Sequence, residues 1–86
     1  MTRREILRDL HGLDRELASL EEEYGLLSAE FYELYRAGRL TQTPDFIRWV
    51  GFHEAHKERE GRYRALGAEP VRTFLRQNSG DGESTP

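Results

Sequence analysis

His53, His56 and Glu60 are the side chains with the most obvious chemical potential, because a helix through this stretch turns all three toward one side. Imidazoles and carboxylates are ordinary ligands of zinc and other divalent metals. The string His53-Glu54-Ala55-His56 nevertheless falls one residue short of the zinc-protease pattern, whose second His would have to stand at Lys57. No Glu-x-x-His pair of the di-iron bundle type occurs either. On a helix His53 and Glu60 lie roughly 10 Å apart along the axis, too far for one ion to bind both. His53 with His56, joined by Glu21 or Glu23, forms the one workable ligand set. The competing reading is a partly buried polar layer that fixes helix register, and it is the expected one, with no metal and no cofactor.

Other groups invite similar weighing. Tyr24, Phe31, Phe46, Trp49 and Phe52 could stack on nucleic-acid bases, but their positions near one helix junction mark them as core. Arg59, Arg62 and Arg64 could touch phosphate, yet Glu58 and Glu60 interrupt them, and a solvated mixed-charge face is the simpler account. Glu21-Glu22-Glu23 lacks a pocket that would raise a carboxyl pKa for acid–base work. A phosphate-cradling glycine loop and a nucleophile elbow are both missing from the sequence. Enzymatic activity is not expected.

The elements that position these residues are constrained by size. Eighty-six residues make one domain with a marginal core. With no Cys, neither a disulfide nor a thiolate metal site can staple it. No apolar run approaches the ~20 residues of a membrane span, and the opening Met1-Thr2-Arg3-Arg4 is no signal peptide, so a cytoplasmic location without membrane contact is expected. The net charge of −3 is uneven: residues 1–40 hold 6 basic and 9 acidic side chains, and residues 41–76 hold 7 and 5. That asymmetry favours pairing of the halves, or of the first half with a basic partner, and disfavours direct nucleic-acid contact.

The series Ile6, Leu10, Leu13, Leu17, Leu20, Tyr24, Leu27, Phe31, Leu34 repeats at alternating steps of four and three, a heptad seam that predicts one helix over about 3–37. Gly38 suits its end. Thr43, Pro44 and Asp45 cap and open a second helix over about 44–66, with Gly67 as its stop. Pro70 opens a short third helix over 70–77 built on Val71, Phe74 and Leu75, and a disordered tail follows over 78–86. The fold class is therefore all-α: a long helix folded against an antiparallel second helix, completed as an oligomeric bundle.

In that hairpin Leu27, Phe31 and Leu34 meet Phe46, Trp49 and Val50 near the turn. The later part of the second helix is poor in apolar groups, so Leu10, Leu13, Leu17 and Leu20 are read as a partner-facing seam, with Glu16 and Glu23 selecting charge. Acidic g positions (Asp9, Glu16, Glu23, Glu30) opposite acidic e positions (Asp14, Glu21) veto simple self-zippering and favour a basic companion, although self-association into a bundle stays open. Ala18, Gly25, Ala29 and Tyr32, with Leu26 beside them, form a second strip of small and apolar residues away from the seam. It reads either as a plain exposed face or as another docking surface.

The run Phe31-Tyr32-Glu33-Leu34-Tyr35-Arg36-Ala37-Gly38-Arg39-Leu40, followed by Asp45-Phe46-Ile47-Arg48-Trp49, resembles a pattern in short bacterial and archaeal helical proteins. Some of these are antitoxin-like small partners in toxin–antitoxin pairs. The resemblance implies a non-enzymatic protein–protein interaction module, the antitoxin-like or small accessory subunit of a two-protein complex. The alternatives are a nucleic-acid-associated regulator acting through the basic second helix, or a metal-binding bundle.

Overall fold

The computed structural model describes residues 1–67; the expected helix at 70–77 and the tail at 78–86 lie outside the described residues. Three helices, α1 (Arg3–Tyr24), α2 (Ser28–Arg36) and α3 (Pro44–Ala65), make the fold all-α, with no strand among the described residues. Each start has a local chemical reason. At α1 the Thr2 hydroxyl accepts from the Glu5 N–H (3.1 Å) and the Glu5 carboxylate accepts from the Thr2 N–H (2.8 Å), which satisfies two otherwise orphaned donors. At α3 the Thr43 hydroxyl accepts from the Phe46 N–H (3.1 Å), Pro44 occupies the first turn, and Asp45 complements the positive helix end.

The helix predicted over 3–37 is not continuous. The backbone turns left-handed at Gly25 (φ 72°), α1 ends there, and α2 restarts at Ser28. Glycine is the least costly residue for that turn, and in a helix interior it would cost about 1 kcal/mol relative to Ala. Two carboxylates then serve the new start. Glu21 accepts from the Ser28 N–H (2.7 Å), and Glu30 accepts from the Leu27 N–H (3.0 Å). The heptad spacing runs through this point, and Phe31 beyond it joins Leu17 and Leu20 in one cluster.

Glycines at two sites should therefore respond oppositely to a methyl group. Gly25→Ala is expected to cost about 1–2 kcal/mol, since an L-residue resists the left-handed region. Gly51, inside α3, has nothing within 4 Å of an added Cβ and no unusual backbone angle. Gly51→Ala is expected to stabilise by about 0.5–1 kcal/mol. Urea unfolding followed by circular dichroism reads both signs; a stabilising Gly25→Ala would mean the break is dispensable.

α1 and α3 run antiparallel, because rising numbers on one meet falling numbers on the other. Arg3 Nε donates to the Tyr63 carbonyl (3.3 Å), Arg59 Nε to Asp9 (3.3 Å), His56 pairs with Asp14 (2.8 Å), and the Tyr24 hydroxyl donates to Asp45 (2.5 Å). The core cluster is Leu17, Leu20, Phe31, Trp49 and Val50, and Ile6 and Leu10 are buried nearer the α1 start. Of the expected hairpin core, Phe31, Trp49 and Val50 are buried and Leu34 and Phe46 are half-buried. Leu27 is 62% exposed. The break explains this correction: Leu27 caps α2 instead of continuing the seam.

Candidate interaction surface

The seam expected to face a partner is largely used within the chain. Leu10, Leu17 and Leu20 are buried and Leu13 is half-buried, while Glu16 and Glu23 stand exposed. Assigning these leucines to a partner underestimated what the polar half of α3 can cover. Long polar side chains lay their carbon stems along apolar surface and keep their heads in water. Arg59 reaches from α3 to Asp9 on α1, and with Ala55 and Leu13 it lines a shallow hollow of about 410 Å³ between the two helices. At the end of the same interface the Arg3 guanidinium sits 3.7 Å over the Tyr63 ring.

At the other end the aromatics form one corner. The Phe31 and Trp49 rings stack with centroids 4.0 Å apart and planes 4° from parallel. Tyr24 and Phe46 close the corner edge-on, at 5.2 Å from each other. Trp49 is fully buried, and its indole N–H donates to the Ser28 hydroxyl (2.8 Å), itself buried. Ser28 therefore links three parts: its N–H goes to Glu21 on α1, its hydroxyl takes Trp49 from α3, and it opens α2. Outside this corner, the Tyr32 hydroxyl donates to Glu54 (2.8 Å).

The titratable groups are engaged in the same structural bonds. Donation to the Asp45 carboxylate pushes the Tyr24 hydroxyl up to about 12, because ionising it would lose the bond and set two negative charges side by side. Tyr32 is raised for the same reason by Glu54. Glu58 is held below its ordinary value by its hydrogen bond with Arg59 and by nearby Arg62. His53 is pushed down, first by partial burial and then by the neighbouring Lys57.

His53 and His56, the only candidate ligand pair in the sequence reading, are not brought to a common centre. His53 packs on the Tyr32 ring at 4.6 Å, and His56 pairs with Asp14. Glu21, the carboxylate considered for that ligand set, caps Ser28 instead. Among the described residues no group of three or more His, Cys, Asp or Glu side chains could hold a metal ion. The arginines considered for phosphate are also occupied. Arg59 pairs with Asp9 and Glu58, Arg62 with Glu58 (2.8 Å) and Arg64 with Glu60 (3.5 Å).

The uncompensated charge lies elsewhere. Residues 16–35 contain six glutamates (16, 21, 22, 23, 30, 33) and no Lys or Arg. Among the described residues none of the six enters an ion pair, whereas Asp9, Asp14, Asp45, Glu58 and Glu60 all do. At the α1–α2 break this acidic stretch borders a groove of about 330 Å³. Ala18, Gly25, Leu26 and Leu27 supply its apolar lining, and Glu21, Glu22 and Glu30 its carboxylates.

No family model, curated protein or solved structure matches the chain. Its surface must therefore be read from its own chemistry. None of the described helices is long and apolar enough to cross a membrane. The strip noted in the sequence, Ala18 and Gly25 with Leu26, does come together in the groove. The residues that reading missed are Ser28 and the paired caps Glu21 and Glu30. A faint signal was present: Glu30 follows Leu27 by three, the spacing of a carboxylate that reaches back to a helix start.

Proposed function

We propose that this chain is a non-enzymatic helical interaction module that acts by docking to another protein chain, as the small accessory or antitoxin-like subunit of a two-protein complex. The observation that carries this reading is the acidic stretch 16–35, whose six glutamates have no cationic partner among the described residues and lie beside the exposed Leu27. Isolated exposed leucines are ordinary on any protein surface. An apolar patch set in unneutralised charge of one sign is a better indicator, because it steers and selects an oppositely charged partner. Glu16 and Glu23 keep their expected role as charge selectors, but the docking surface shifts from the buried leucines to the α1–α2 end.

The same charge repels phosphate, and Arg59, Arg62 and Arg64, the cations considered for nucleic acid, already face carboxylates, so direct nucleic-acid contact is the weaker reading. Purification from the native host at moderate salt tests the proposal. The 10.1 kDa chain is expected to leave size exclusion with a second polypeptide at fixed stoichiometry, and native mass spectrometry gives the ratio. Recovery as a bare monomer at every salt concentration counts against it, as does salt-sensitive retention on DNA or RNA instead.

A further inference from the structure

The geometry points to the groove at the α1–α2 break as the docking site for a basic amphipathic helix of a partner protein, with one aliphatic side chain seated on Leu26 and Leu27 and Lys or Arg on the flanking turns facing Glu21, Glu22 and Glu30. This rests on the interaction reading above and adds where the partner binds and what chemistry it carries.

The shape of the site follows from the helix break. Gly25 ends α1 with no side chain of its own, Ala18 contributes only a methyl group about two turns earlier, and the chain then restarts as α2 at Ser28. A shallow apolar depression is left where a continuous helix would present a filled ridge, and Leu27 stands 62% exposed at its edge. The depression has room for a Leu- or Ile-sized side chain together with the stems of its neighbours.

Charge decides the occupant. The lining carboxylates have no counter-ion among the described residues. Glu21 and Glu30 each spend one oxygen on a backbone cap, which holds them in place and leaves their other oxygen free to accept. Carboxylates fixed in this way accept charge-assisted bonds from Lys or Arg with little further ordering. A second copy of the chain would have to offer a basic apolar helix. Its α3 cations Arg59, Arg62 and Arg64 are already committed to Asp9, Glu58 and Glu60, and Arg4, Arg8 and Arg15 of α1 alternate with Glu5, Asp9, Asp14 and Glu16 on a chain of net charge −3, so a heterologous helix fits better. On a helix the partner's cations would stand three or four residues either side of the seated aliphatic group.

A fluorescein-labelled synthetic helix of about 18 residues, with Leu along one stripe and Lys flanking it, serves as the probe, titrated against the full chain by anisotropy. Binding is expected to weaken about tenfold on Leu27→Asp and several-fold on Glu22→Lys, and to fall with salt. Leu66→Asp, an equally solvent-facing leucine (50% exposed) at the far end of α3, is expected to change nothing. Circular dichroism of each variant checks that the helices persist. Equal affinity for all variants would overturn the site, as attraction by net charge alone. If Leu27→Asp leaves the probe unaffected but turns a concentration-dependent dimer into a monomer, the occupant is a second copy and the heterologous assignment fails. A native complex that survives Leu27→Asp and Glu22→Lys would overturn this groove while leaving the interaction module intact. Absence of any native partner would instead remove the broader reading.

Discussion

Trp49→Ala is expected to remove most of the stability of this protein, about 3–5 kcal/mol, and to leave a chain that keeps helical signal but unfolds without a cooperative transition. Trp49 is fully buried and is the meeting point of all three helices: its ring lies flat on Phe31 of α2, touches Tyr24 of α1, and is anchored from α3. Deleting it opens a cavity that no neighbour can close, because Phe31 is itself held by α2 and Leu17 and Leu20 by α1. Domains of this size are stable by roughly 0.05–0.15 kcal/mol per residue, so the loss is comparable with the whole. Urea unfolding by far-ultraviolet circular dichroism provides the measurement, since the substitution removes the only tryptophan. A cooperative transition with a midpoint near that of the parent would show that the corner is not the centre of the fold.

Ser28→Ala is the second large effect, expected at about 1–3 kcal/mol although it deletes a single oxygen. The indole N–H of Trp49 would be left buried without an acceptor, and that desolvation is the main cost. Urea unfolding followed by far-ultraviolet circular dichroism reads every variant of this pair, because those changed at position 49 lose the only tryptophan. The decisive comparison is the double variant Ser28→Ala with Trp49→Phe. Removing donor and acceptor together is expected to cost less than the sum of the two single changes. Strict additivity would mean that the bond contributes nothing of its own.

How much of this was legible depends on whether a residue's role was set by its neighbours in sequence or across space. Spacing alone put Ile6, Leu10, Leu17 and Leu20 on one apolar face without showing what covers it, and Thr43-Pro44-Asp45 marked the start of α3 by the chemistry of a helix end. The aromatic corner was legible in part: Phe31, Trp49 and Val50 are buried, and Leu27 is not. The break at Gly25 was hidden because the heptad spacing continues through it, and one glycine inside a long pattern is ordinarily tolerated. What ends the helix is a tertiary gain, the bond from Trp49 to Ser28 and the stacking on Phe31, which involves residues twenty-one and eighteen positions away. The partner-facing assignment of Leu10, Leu17 and Leu20 failed for a related reason. Counting apolar letters in α3 could not show that Arg59 and Tyr63 would serve as cover.

The rungs between α1 and α3 do not by themselves decide which alignment of the two helices is tolerated. A slide of α3 by four residues would set Asp14 against Glu60 or Phe52, but a slide of three would give Asp14 Arg59 and Asp9 Arg62, so the charges alone would accept that shift. What rejects either slide is the corner, since Trp49 would leave both the Ser28 hydroxyl and the Phe31 ring. One indole thus acts as the indexing mark on a joint whose surface charges would tolerate another setting.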